Sequence, residues 1–271
     1  MDPIKEALTF DDVTLAPKYS SVLPSEVNTS VKLSKNLNLK IPLLSSAMDT
    51  VTESKMAIEI AKAGGIGVIH RNLSINDQIL EIKKVQKKGL VVGAAVGTND
   101  TEISRAEKII KSKVDLIVVD TAHGHTKRVA DIIKFIKRKK SSKTSLCAGN
   151  IATAEAAKFL CKLGVDIVKV GIGPGSICTT RLVAGIGVPQ LSALLDAKKG
   201  LSKNVKMISD GGVKFSGDIA KALAAGADAV MVGSMIAGTN EAPGKIIKKN
   251  GKLFKVFRGM GSVGAMNKGS A

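Results

Sequence analysis

The sequence predicts an α/β protein, a TIM (β/α)8 barrel in one domain spanning residues 1–271, with the last helix missing or displaced. Three observations predict it. Short apolar runs recur along the chain, segments of helical period separate them, and polar or glycine-rich residues gather just after each run. Runs that are apolar throughout, without alternation, indicate strands covered on both faces, as in the wall of a barrel. Eight such units within 271 residues suit a closed barrel better than an open doubly wound sheet.

After an N-terminal segment, the first run, 41–47, ends at Met48-Asp49-Thr50 and leads to an amphipathic stretch at 54–63. The second, 66–69, ends at His70-Arg71-Asn72 and precedes a helix at 75–86. A strand at 91–96 gives way to Gly97-Thr98-Asn99 and a helix at 101–111, and one at 116–119 to Asp120-Thr121-Ala122-His123 and a helix at 125–139. The fifth run, 144–148, ends at Gly149-Asn150 before a helix at 152–163. The sixth, 167–170, opens into a glycine-rich loop that reaches Arg181, with a helix following at 190–199. The seventh, 206–209, meets Asp210-Gly211-Gly212 and a helix at 216–225, and the eighth, 229–232, meets Gly233-Ser234. The strand C-termini therefore carry the polar groups, which is the end of a barrel where catalytic residues collect. Only a short stretch at 242–249 follows before the tail 261–271, which reads as the start of a mobile segment in a truncated chain. No linker or low-complexity stretch divides the sequence, so a single domain is expected.

Composition narrows the function. No apolar run approaches the ~20 residues of a membrane helix, and Met1-Asp2-Pro3-Ile4-Lys5-Glu6 lacks the layout of a secretory signal, so a cytoplasmic location is expected. Cys147, Cys161 and Cys178 are odd in number and widely spaced, which argues against disulfides and zinc and leaves a thiol available as a nucleophile. A formal charge of +18 raises nucleic acid as a partner, yet the lysines are scattered and Tyr19 is the only tyrosine, with no Trp. Stacking platforms are scarce, so a solvated basic surface is the better reading.

The most informative segment is Gly171-Ile172-Gly173-Pro174-Gly175-Ser176-Ile177-Cys178-Thr179-Thr180-Arg181. Glycines at alternate positions let backbone N–H groups crowd around an anion, Ser176 adds a hydroxyl, and the thiol of Cys178 lies where a phosphorylated substrate presents its reactive part. The competing reading is a tight strand-to-helix turn with a small buried cysteine. Backbone donors from Gly173, Gly175 and Ser176, from Gly211 and Gly212, and from Gly233 and Ser234 can converge on one phosphate. Asp210 repels such a group, so it suits ribose hydroxyls; alternatively it caps a turn. Asp120 suits a hydroxyl or amide of a ligand. His123 and His125 form an H-x-H pair, but no third ligand stands at a suitable spacing, and they are read as surface groups opening the next helix.

Several segments resemble the IMP dehydrogenase family. They are the Cys178 loop, Leu8-Thr9-Phe10-Asp11-Asp12-Val13, Ser45-Ser46-Ala47-Met48-Asp49-Thr50-Val51-Thr52-Glu53, Gly64-Gly65-Ile66-Gly67-Val68-Ile69-His70 and Arg258-Gly259-Met260-Gly261-Ser262. The sister GMP reductases share the barrel and cysteine loop, but Leu182-Val183-Ala184-Gly185 and Thr52-Glu53 side with the dehydrogenases. The resemblance implies oxidation of inosine 5′-monophosphate (IMP) by NAD in guanine nucleotide synthesis, through a covalent adduct on Cys178. It implies that Ser46 and Met48 lie along the nucleotide, that Ser176, Gly212, Gly233 and Ser234 hold its phosphate, and that Asp210 holds its ribose. Met260 and Gly261 would meet the base, with Asn150 near the substrate and Thr180 organising the thiol and the attacking water. Asp120, Thr121 and Ala122 would line the NAD site. The carbonyls of Gly173, Gly175 and Cys178 resemble the family's potassium (K+) site, and a homotetramer is implied.

Departures accompany the likeness. Gln86-Lys87-Lys88-Gly89 joins the second helix directly to the third strand, where relatives usually insert a pair of regulatory CBS repeats. Phe257 stands where a tyrosine commonly donates to the phosphate. The sequence ends before the Arg-Tyr pair with which the family activates water, so impaired hydrolysis of the adduct is expected. Two rival readings remain: an NADPH-dependent GMP reductase, and a barrel that binds purine nucleotides without catalysis.

Overall fold

The structure, a computed structural model, describes residues 6–265; of the tail expected to be mobile, 266–271 lie outside the described residues. A short antiparallel hairpin comes first, β1 (Val31–Lys32) and β2 (Asn38–Leu39). Strands β3 (Leu43–Ser45), β4 (Ile66–Ile69), β5 (Val92–Val96), β6 (Leu116–Asp120), β7 (Ser145–Ile151), β8 (Ile167–Val170), β9 (Lys206–Asp210) and β10 (Ala229–Val232) then form a closed parallel barrel. The expected TIM-barrel fold is thus present. Closure is made by β10 against β3, with Val230 opposite Leu43 and Val232 opposite Ser45.

The barrel strands are buried on both faces, as their apolar runs require. Helices α1 (Ser54–Lys62), α2 (Ile75–Gln86), α3 (Thr101–Lys111), α4 (Lys127–Lys139), α5 (Ala154–Leu163), the short α6 (Thr180–Val183), α7 (Gln190–Gly200) and α8 (Ser216–Ala224) follow their strands. Local chemistry sets several starts: Ser74, Thr126 and Thr153 accept hydrogen bonds from the backbone N–H groups of Asp77, Val129 and Ala156. Outward residues such as Val96, Ile117 and Val168 pack against Ile109, Ile133 and Leu160 of the helices. Inward residues, Leu44, Val68, Leu116, Val118, Ile167 and Ile208 among them, fill the barrel.

Leu33, Leu37 and Leu39 of the first hairpin belong to the same inner cluster and are almost wholly buried. Ser34 Oγ lies 2.7 Å from Ser145 Oγ at the start of β7, and Asn36 Nδ2 donates to Ser142 O at 2.7 Å. The hairpin therefore closes the N-terminal end of the barrel and leaves the opposite end open.

Boundaries differ from the sequence reading in identifiable ways. Expected at 41–47, β3 begins only at Leu43, because Pro42 has no N–H to give the ladder, and it ends where Met48 N–H turns back to Ser46 O. Thr126 is extended and caps α4, so His123 and His125 precede the helix instead of opening it; His125 is half-buried against Phe159, ring centroids 4.7 Å apart. After β10 no packed barrel helix follows among the described residues. The segment expected at 242–249 contributes instead to an exposed hairpin, β11 (Ile247–Lys249) with β12 (Lys252–Phe254), before a last short turn of helix, α9 (Val263–Ala265). No described helix is long and apolar enough to cross a membrane.

Candidate active site

Strands present alternate residues to the barrel interior, and at the C-terminal rim that register turns polar. Leu116 and Val118 of β6 are followed inward by Asp120, Ile167 of β8 by Lys169, and Ile208 of β9 by Asp210. Above this layer opens a cleft of about 450 Å³. Its walls include every residue that the sequence singled out for substrate, cofactor or cation.

One wall is the loop after β8, carrying Gly173, Gly175, Ser176, Cys178 and Thr180. Gln190 supports it from below, donating to Val170 O at 2.9 Å and to Ser209 Oγ at 3.1 Å, so the ends of β8 and β9 are held together. The Cys178 N–H donates to Gly175 O at 3.1 Å, which bends the loop, and the thiol donates to Thr180 Oγ1 at 3.3 Å. Cys178 is half-buried and faces the cleft. Of the other cysteines, Cys147 is sealed in the barrel, where burial pushes its thiol up to about 12 and keeps it inert. Cys161 sits on α5, away from the cleft lining, and its sulfur accepts from Ser202 N–H at 3.4 Å.

A second wall combines Ser46 and Met48 after β3 with Gly212 after β9 and Gly233 and Ser234 after β10. Gly212 has φ +76°, a left-handed turn that side chains disfavour. At Gly233 a Cβ would stand 2.9 Å from Ser46 Oγ, so only glycine admits this approach of backbone to hydroxyl. That Oγ is buried and has no hydrogen-bond partner among the described residues. A buried hydroxyl without a partner at the edge of a cleft is suited to a ligand oxygen.

The third wall is a strap from the C-terminal part of the chain, in which Phe257, Gly259, Met260 and Gly261 lean over the opening. Arg258 anchors it by gripping both carboxylate oxygens of Asp49, and the Thr50 hydroxyl adds a second tie, its Oγ1 accepting from Arg258 N–H at 3.3 Å. Asn72 Nδ2 donates to Asp49 Oδ2 at 3.0 Å and to Ala265 O at 3.3 Å. Burial works against the Asp49 charge, but these donors outweigh it and hold the carboxyl below its ordinary range.

On the remaining side stand Asp120, Thr121, Ala122 and Asn150. Thr121 Oγ1 donates to Gly149 O at 2.7 Å, leaving the Asp120 carboxylate and the exposed Ala122 as what this segment offers outward. No group of three His, Cys, Asp or Glu side chains suited to a metal occurs among the described residues, and His123 and His125 are 6.4 Å apart between ring centroids.

A family model described as the IMP dehydrogenase / GMP reductase domain matches residues 7–271. The chain belongs to that family. Inosine-5′-monophosphate dehydrogenase of Borreliella burgdorferi is 48% identical over 317 residues, covering 98% of this chain and 78% of the relative. Its counterpart in Cryptosporidium parvum is 45% identical over 311 residues, 98% and 77% of the two chains. In Aquifex aeolicus the identity is 38% over 393 residues, 97% and 80%. That last alignment is longer than the 271 residues of this chain, so the Aquifex relative contains a long segment without counterpart here. In this member of the IMP dehydrogenase / GMP reductase family, α2 and β5 are joined by the tight turn 87–91.

Sequence reasoning missed one central residue of the site. Lys169, its side chain 3% exposed, places Nζ 2.8 Å from Asp120 Oδ1 and 2.5 Å from Asp210 Oδ2, and also bonds Asn150 Oδ1. Burial disfavours its charge, yet Asp120 and Asp210 together overcome that and hold the ammonium above the ordinary lysine range. The signal was present in the strand Ile167-Val168-Lys169-Val170: a lysine inside an apolar strand is buried only when paired. Arg71, noted only as a polar residue after the second run, also lines the cleft.

Proposed function

We propose that this protein oxidises IMP to xanthosine 5′-monophosphate with NAD as acceptor, in guanine nucleotide synthesis. The observation that carries the reading is the position of Cys178: a cleft-facing thiol on a glycine-rich loop, in the same cleft as Ser46, Gly212, Gly233 and Ser234. The orphaned Ser46 hydroxyl suits an oxygen along the nucleotide, and Ser176, Ser234 and the backbone donors of Gly212 and Gly233 suit its phosphate. Asp210, at the inner layer, suits the ribose hydroxyls, and Met48, Asn150, Met260 and Gly261 enclose the base. Each curated relative named above is called a dehydrogenase, which favours this reading over GMP reduction.

In the reaction, Cys178 adds through sulfur to C2 of the hypoxanthine ring, and the C2–H bond breaks with its electron pair leaving as hydride. Asp120, Thr121 and Ala122 would hold NAD, whose nicotinamide would supply the hydride acceptor. The adduct joins Cys178 sulfur to C2; water then forms the C2–O bond, the C–S bond breaks, and the thiol is regenerated. The thiol proton leaves to solvent as sulfur adds, and of the two protons of the attacking water one returns to sulfur and the other goes to ring nitrogen N3; Thr180, whose Oγ1 accepts the thiol hydrogen at 3.3 Å, orients the thiol for this exchange. The carbonyls of Gly173, Gly175 and Cys178 offer oxygen ligands from one loop to a potassium ion, the kind of donor a hard cation takes. The resemblance supports a homotetramer, and a cytoplasmic setting is part of the same proposal.

Intact-mass measurement after mixing with IMP and NAD tests the reading. NADH release, together with an adduct that C178S cannot form, supports it. IMP binding without NADH or adduct would leave a nucleotide-binding barrel, and NADPH oxidation with GMP would make it a reductase.

A further inference from the structure

We propose that Lys169 is a positioning residue shared by the two halves of the cleft: it holds Asp210 on the nucleotide side and Asp120 on the dinucleotide side, so that ligand binding in each half is coupled to the other. The proposal rests on the IMP and NAD reading above and adds to it a buried residue held by the acids of both halves.

The geometry is economical. An ammonium has three N–H donors, and three acceptors surround this one: Asp120 Oδ1, Asp210 Oδ2 and Asn150 Oδ1. They come from the ends of three different strands, β6, β9 and β7, so the cation on β8 links four consecutive staves at the rim. Asn150 closes the arrangement by donating to Asp210 Oδ2 at 2.9 Å and to Gly171 O at 2.7 Å, where the Cys178 loop begins. Two carboxylates share one cation. A ligand hydroxyl that engages Asp210 therefore changes what Lys169 offers Asp120, and by reciprocity an amide or hydroxyl at Asp120 changes the nucleotide side. A lysine needed only to neutralise a buried carboxylate would require one partner, whereas this one is placed between the two that face different ligands.

The test is calorimetry with IMP on the whole chain, comparing wild type, D120N, K169R and the double variant K169M/D120N. The double variant removes one cation and one carboxylate, so the net charge of the cluster equals that of wild type and folding is protected; equal melting of D120N and the double variant checks this. D120N is expected to shift IMP affinity about threefold, because Lys169 then serves Asp210 alone, K169M/D120N to bind IMP at least about tenfold more weakly than D120N, and K169R to weaken IMP binding by about threefold. In turnover, K169R should raise the KM values for IMP and NAD together while leaving kcat nearly constant, a split that general destabilisation does not produce. If the double variant binds IMP as D120N does, Lys169 does not position Asp210 and the proposal falls alone. If wild type fails to bind IMP, the nucleotide reading fails and the proposal falls with it.

Discussion

Arg258 reaches across 209 positions of sequence to clasp Asp49, its Nε 3.3 Å from Oδ1 and its Nη2 on Oδ2. The first barrel strand and the C-terminal strap are thereby fastened at the mouth of the cleft, where Met260 and Gly261 complete the wall.

Replacing Arg258 with Met should free the strap. Charge-assisted bonds of this kind contribute about 1.5–3 kcal/mol, so the KM for IMP should rise about tenfold, and amides of 257–265 should exchange faster with deuterium. Unchanged exchange would show that the strap is held by other contacts.

Acid should loosen the same fastening. The folded-state pKa of Asp49 is depressed, so its contribution to stability is complete above the ordinary aspartate value and disappears as pH falls through the lower folded value. Melting temperature should therefore decline below about pH 4, and D49N should lower it at pH 7 while flattening the part of the acid decline that belongs to this group. An acid limb of equal depth in D49N would exclude Asp49 as its source.

Thr180 Oγ1 lies 3.3 Å from the Cys178 sulfur and accepts its hydrogen. T180V preserves shape and removes the oxygen. A fall in kcat of about 10²-fold with the KM for IMP nearly constant is expected, since proton-transfer partners act in the transition state. Steady-state kinetics and the rate of adduct formation by intact mass would separate the two chemical steps.

Phe257 turns the tip of its ring toward Gly233: Cζ is 3.6 Å from where a Cβ on that glycine would stand. A hydroxyl placed there by F257Y should reach the nucleotide phosphate, strengthening binding by about 1 kcal/mol, or roughly fivefold in Kd. Calorimetry with IMP would show it. Weaker binding in F257Y would mean the ring tip points away from the anion.

Leu33 is completely buried in the hairpin that seals the lower end of the barrel. L33A should cost about 2–5 kcal/mol, lowering the melting temperature by several degrees while leaving the KM for IMP unchanged, because the cavity forms at the end remote from the cleft.

Much of this architecture was legible because the wall of a barrel imposes a simple pattern. Runs such as Leu116-Ile117-Val118-Val119 are covered on both faces and leave little doubt about their state, and the polar residues that end them mark the rim. The loop of Cys178 was equally plain, since its glycines and thiol have few ordinary structural uses. Lys169 was obscured by the opposite logic. It sits in a four-residue strand, and its meaning depends on Asp120 and Asp210, which are neighbours only after the strands are laid side by side. The sealing hairpin escaped notice because β1 and β2 have two residues each, too few to establish alternation. The Asp49 and Arg258 pair is likewise a product of closure, with nothing local to announce it.

The seam between β3 and β10 also bears on how the molecule comes into being. Its partners, Leu43 and Val230 among them, are separated by roughly two hundred positions, the kind of distant pairing that slows folding. Until the ribosome has delivered Val232, β3 presents an unpaired flank, and the growing sheet has two raw borders open to other chains. Only the eighth stave makes the hoop whole, and translation reaches it last.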